Sequence, residues 1–77
     1  MWWLRTMRVE LIREWCLTEL ELLLLARERA GVPSKEIARE LKLTLGAVDC
    51  RFARVNARMG VANRRAAAQI AAEYGLV

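Results

Sequence analysis

Between Ser34 and Met59 the apolar residues twice fall into helical spacing, and only three residues, KLT, separate the two runs. The first run, SKEIAREL, sets Ile37, Ala38 and Leu41 on one face. The second, LGAVDCRFARVNARM, does the same with Val48, Phe52, Val55 and Met59. Apolar residues recurring at steps of three and four mark the buried stripe of an α-helix. Two such helices joined by so short a turn form a helix-turn-helix, in which the second helix normally enters the DNA major groove. Many small helical proteins share this spacing, so the rest of the chain has to decide what it means.

The flanking residues extend the helical pattern. Leu4, Met7, Leu11 and Trp15 predict an amphipathic helix over about residues 3 to 15, with Trp2 and Trp3 at its start. Thr18 followed by Glu21 is a capping box that opens a helix over about 19 to 30, closed by Gly31 and Val32-Pro33. Leu20, Leu23, Leu24 and the stem of Arg27 are its expected inward side. Ser34 is expected to cap the helix that follows and Thr44 the helix over 45–59, which Gly60 stops. Asn63 caps a last helix over 64–73, RRAAAQIAAE, rich in strong helix formers, with Ala67, Ile70, Ala71 and Tyr74 as its inner stripe. No stretch alternates apolar and polar residues as a strand does. The expected fold is therefore all-α: four helices around the helix-turn-helix, preceded by an extra N-terminal helix within residues 1–16.

Size and chemistry exclude most alternatives. The chain has 77 residues, 56% hydrophobic, enough for one small core. It has no His and two separated cysteines, Cys16 and Cys50, so no zinc set, Cys-His pair or disulfide framework can be assembled. This cysteine usage fits a reducing cytoplasm. The longest apolar run, Leu20 to Ala26, is interrupted by Glu21 and falls well short of the ~20 residues of a membrane span. The N-terminus mixes Arg and Glu with apolar residues and lacks a secretory h-region. No cofactor loop or nucleophile elbow is present, so neither an enzyme nor a cofactor is expected.

The formal charge of +4 is unevenly placed. Residues 44 to 60 carry Arg51, Arg54 and Arg58 against Asp49, a local +2, whereas residues 17 to 30 carry three Glu against two Arg. Positive charge gathers on the second helix of the motif, which allows an anionic partner without naming one.

Three segments together, LTELELLLLA at 17–26, KEIARELKLTLGAV at 35–48 and GVANRRAAAQIA at 60–71, resemble the LuxR/GerE family of helix-turn-helix domains. The resemblance covers about residues 17–77. Region four of bacterial sigma factors shares the motif, but GVANRR and a helix after it favour the LuxR-type reading. The resemblance implies that the helix over 45–59 reads DNA and that the last helix forms a two-fold dimer contact on paired half-sites. The family usually carries a sensor domain upstream. About 16 residues precede the match here, which suggests a small stand-alone regulator.

Projected at 100° per residue, the helix over 45–59 turns Gly46, Cys50, Ala53 and Ala57 away from the core. Asp49 and Asn56 lie on one shoulder, with Arg51, Arg54 and Arg58 on the other. The resemblance assigns base contacts to Asp49, Cys50 and Ala53. At the positions of Asp49 and Ala53, DNA-reading members more often carry basic or polar residues. Asp49 has two competing readings: an acceptor for a cytosine amino group, or a solvated first-turn acid favoured by the helix dipole. Phosphate contacts are expected from Ser34, Lys35, Thr44, Arg51, Arg54 and Arg58. Trp2, Trp3, Ala68 and Ala72 are the expected dimer or partner contacts.

These observations point to a sequence-specific DNA-binding transcription regulator, acting on double-stranded DNA as a homodimer. The competing class is a protein-binding adaptor or inhibitor. It would use the same fold, with its small-residue face, to engage a transcription factor or RNA polymerase.

Overall fold

A computed structural model describes the backbone of residues 2–77 and side chains from Arg8 onward. The described residues form five helices: α1 (Trp2–Glu14), α2 (Glu19–Arg29), α3 (Ser34–Leu41), α4 (Leu45–Met59) and α5 (Arg64–Glu73). They contain no strand, so the chain is all-α with an extra N-terminal helix. No helix among them is long and apolar enough to cross a membrane.

Local chemistry sets the helix ends. Thr18 and Glu21 form the full capping box: Glu21 N–H donates to Thr18 Oγ1 (3.2 Å) and Thr18 N–H donates to Glu21 Oε1 (3.0 Å). Asn63 Oδ1 accepts from Ala66 N–H at 2.9 Å and opens α5. Gly60 closes α4 in the left-handed conformation, φ 69°, where a side chain would be strained. The turn between α3 and α4 uses that conformation without glycine, at Lys42 (φ 56°). Leu43 N–H reaches back to Ala38 C=O at 2.8 Å, which satisfies a carbonyl at the end of α3.

The core lies between α2, α4 and α5, with α3 laid against α4. Leu24, Leu25, Val48, Val55, Ala67 and Ala71 are fully buried, and Ile37 and Phe52 nearly so. Three buried alanines, Ala67, Ala68 and Ala71, let α5 sit close on α2. Ala68 thereby differs from expectation. At 2% exposure it belongs to the core of its own chain and is not open to a partner, while Ala72 is half-buried.

Two details of phase also differ. Leu23 faces outward at 39% exposure, and Leu25 takes the buried place beside Leu24. A run of four leucines gives no phase of its own, and α2 turns to the side that α4 and α5 cover. Tyr74 is 42% exposed and meets Trp15 edge to face, with ring centroids 6.2 Å apart. That contact, the packing of Ile12 on the core and a hydrogen bond from Arg8 to Gly75 C=O (3.4 Å) tie α1 to the body. The side chains of Trp2 and Trp3, expected as interface anchors, lie outside the described residues.

Candidate nucleic-acid interface

The helix-turn-helix is α3, the turn Lys42–Thr44, and α4. Thr44 stands before α4 in extended conformation, and its Oγ1 accepts from Ala47 N–H at 3.0 Å. This cap fixes where α4 begins and hence which residues face outward. With Val48, Phe52 and Val55 locked into the core, the exposed side of α4 is formed by Gly46, Asp49, Cys50, Ala53, Arg54 and Ala57. Arg51 lies half-buried at its edge. This surface is nearly flat, because its middle carries only Cys50, Ala53 and Ala57.

The two shoulders of α4 are both occupied by ion pairs. On one, Arg58 donates from both terminal nitrogens to Glu21, at 2.9 Å and 3.0 Å, and a further hydrogen bond of 2.8 Å goes to Cys16 C=O. Glu21 is 1% exposed. Burial by itself would raise the pKa of its carboxyl. The hydrogen bonds from Arg58 and from the Thr18 backbone, together with the Arg58 charge, outweigh burial and hold it below the ordinary glutamate value. Arg58 therefore does not belong with Arg51 and Arg54 as a group open to phosphate. Its fork is committed to a buried carboxylate and a carbonyl of its own chain.

On the other shoulder stands Arg64, a residue that sequence reasoning did not single out. Its Nη2 donates to Asp49 Oδ1 at 2.7 Å and its Nη1 to Ser34 Oγ at 2.7 Å. The guanidinium carbon lies 4.3 Å from the centre of the buried Phe52 ring, and Nε is 4.0 Å from Glu28. One side chain of α5 thus holds α2, the start of α3 and the first turns of α4 together. The signal for it was available in GVANRR. An arginine just after the cap Asn63 is opposed by its own helix dipole and gains from acceptors on other elements, although the sequence does not tell Arg64 from Arg65 in this.

Ser34 also differs from expectation. Pro33 occupies the N-cap of α3, and its carbonyl accepts from Glu36 and Ile37 N–H, both at 3.0 Å. Ser34 is consequently the first residue of the helix, and its hydroxyl serves Arg64 instead of capping. Asp49 is neither of the two things expected of it in pure form. It is 56% exposed in its side chain, yet one of its oxygens is tied to Arg64. Lys35 on α3, Lys42 in the turn, and Arg51 and Arg54 on α4 hold no ion pair among the described residues, nor do Arg13, Arg29 and Arg65 on the other helices.

An all-α body that presents the second helix of a helix-turn-helix outward, with unpaired cations around it, defines the helix-turn-helix class of DNA-binding regulatory domain. Within that class, residues 16–71 match the family model of the bacterial regulatory proteins, luxR family, and the chain belongs to that family. No curated protein and no solved structure matches the chain.

Proposed function

We propose that the protein is a sequence-specific DNA-binding transcription regulator that lays α4 in the major groove and works as a two-fold dimer. The observation that carries the reading is the outward face of α4. Its centre carries only the small residues Gly46, Cys50, Ala53 and Ala57, which allow close approach to base edges, and Arg51 and Arg54 on α4, Lys42 in the turn before it and Lys35 on α3 hold no ion pair among the described residues. Asp49, Cys50 and Ala53 meet base edges, while Lys35, Thr44, Arg51 and Arg54 meet phosphates. Selection from a random duplex library tests this directly. A palindromic consensus is expected, with binding that weakens by a log–log salt slope of roughly three to four per domain, as four cations on phosphates would give.

The dimer reading draws on α5. Arg65 is exposed at its N-terminal end and Glu73 at its C-terminal end, each opposed to the helix dipole and without an ion pair among the described residues. A second copy packed antiparallel about Gln69 brings Arg65 beside the partner's Glu73, and the same pair forms again across the two-fold axis. Arg65, Gln69 and Ala72 also line an open groove of about 750 Å³ with Val32 and Pro33. Sedimentation at micromolar concentration is expected to show a dimer that Arg65→Glu dissociates and Arg65→Glu with Glu73→Arg restores. A monomer throughout removes the dimer.

A second reading, the adaptor or inhibitor of a transcription factor or RNA polymerase, is favoured by one observation: an acid stands on the exposed face of α4. It gains if selection recovers no consensus and Asp49→Lys creates tight DNA binding where there was none.

A further inference from the structure

An acid on a DNA-facing helix is ordinarily repelled by the phosphates on either side, and the surroundings of Asp49 supply what would make it useful. Arg64 is pinned before it reaches Asp49. Its Nη1 is bonded to Ser34 Oγ at 2.7 Å, its guanidinium carbon lies over the Phe52 ring 4.3 Å from the centroid, and Phe52 itself is 1% exposed and cannot move aside. The other terminal nitrogen, Nη2, meets Asp49 Oδ1 at 2.7 Å. Oδ2 has no hydrogen bond among the described residues, and the side chain is 56% exposed. The pair therefore leaves one carboxylate oxygen without a protein donor, on a side chain held at one place near the start of α4, and its charge is partly offset by a guanidinium that is itself only 27% exposed and also lies 4.0 Å from Glu28.

We propose that Arg64 is a positioning residue that makes Asp49 a fixed acceptor with its charge partly offset, and that this acceptor reads cytosine at one position of each half-site. The inference rests on the DNA-reading function proposed above. The choice of base follows from the major-groove edges. Cytosine presents its N4 amino group as a donor with no acceptor of its own beside it, and Asp and Glu accept from that group. Adenine places the N7 acceptor next to its amino group, and guanine and thymine present acceptors to the groove, all of which repel a carboxylate. Without Arg64, the carboxylate would turn among its rotamers and carry its full charge toward the phosphates.

The test uses the full chain, a duplex selected by the wild-type protein, and its single-base variants, with affinity read by fluorescence anisotropy. The wild type is expected to favour cytosine at one position of each half-site, on the order of tenfold over the other bases. Asp49→Asn should move the preference there to adenine, whose N6 and N7 suit an amide. Arg64→Met, which keeps a stem over Phe52, and Arg64→Lys, which keeps the charge but not the fork, should both erode the cytosine preference. In an Asp49→Ala background, Arg64→Met should change base preference no further. If the Arg64 variants weaken all duplexes alike and leave the cytosine preference intact, Arg64 is only a structural clamp and the proposal is overturned. A consensus with no cytosine at any position that responds to Asp49 also overturns it, while DNA reading stands. If no consensus is recovered at all, the proposed function itself falls. Should Arg64→Met lose its cooperative melt, Arg64→Lys and the exposed Asp49→Asn decide the outcome.

Discussion

The two shoulders of α4 carry the same chemistry with opposite consequences. Each has an arginine bonded to a carboxylate at 3 Å or less, and each pair joins α4 to another helix. Glu21 is 1% exposed and receives both arms of Arg58, whereas Asp49 is 56% exposed and receives one arm of Arg64. Water decides the difference. A charge stripped of water depends on its partner, so the Glu21–Arg58 pair belongs to the fold. A charge still in water loses little when its partner leaves, so the carboxylate of Asp49 remains available for recognition. Bond length alone would have ranked them the other way, since the exposed pair is the shorter.

The largest expected effect lies on the buried shoulder. Arg58→Ala leaves Glu21 charged and enclosed, and should cost about 3 kcal/mol, the low end for breaking a buried pair because Arg58 is one-third exposed. Urea unfolding with an unchanged slope checks it. A cost below about 1 kcal/mol, the range of surface pairs, would erase the contrast between the shoulders.

Acid tests the same shoulder from the other partner. The folded pKa of Glu21 is lowered from 4.5, so its contribution is fully present above that value. It is lost progressively as pH falls below 4.5 toward the folded pKa, where the folded state must take up the proton. Stability measured against pH should therefore decline in this window, and Glu21→Gln should flatten that part of the decline.

On the exposed face, Arg54→Ala should weaken binding to all duplexes alike and reduce the salt slope by about one unit, as loss of one phosphate contact does. A change in base preference instead would move Arg54 from the backbone to the bases. The smallest effect is expected from Asp49→Ala on stability, about 0.5 kcal/mol or less, since its partner Arg64 keeps Ser34 and Phe52. Thermal melts of the two proteins side by side would settle it, and a loss as large as that of Arg58→Ala would make Asp49 a fold residue first.

The starts of α2, α4 and α5, the end of α4 and the buried side of α4 were legible in the amino-acid sequence, whereas the cap of α3 was not. Thr18, Thr44 and Asn63 cap as their spacing indicates, Gly60 stops α4, and Val48, Phe52 and Val55 fill the core. These are short-range effects, set by hydrogen bonds within one turn and by a repeat within one helix. Tertiary structure alone decided where the long arginines go. Arg58 crosses 37 residues to Glu21, and Arg64 crosses 15 to Asp49 and 30 to Ser34. A guanidinium on a flexible stem can reach several carboxylates, and only helix packing selects one. The same packing chose Leu25 over Leu23 as a buried side chain of α2 and drew Ala68 into the core. It also decided whether the acid on α4 is bare or paired, because its partner Arg64 comes from another helix.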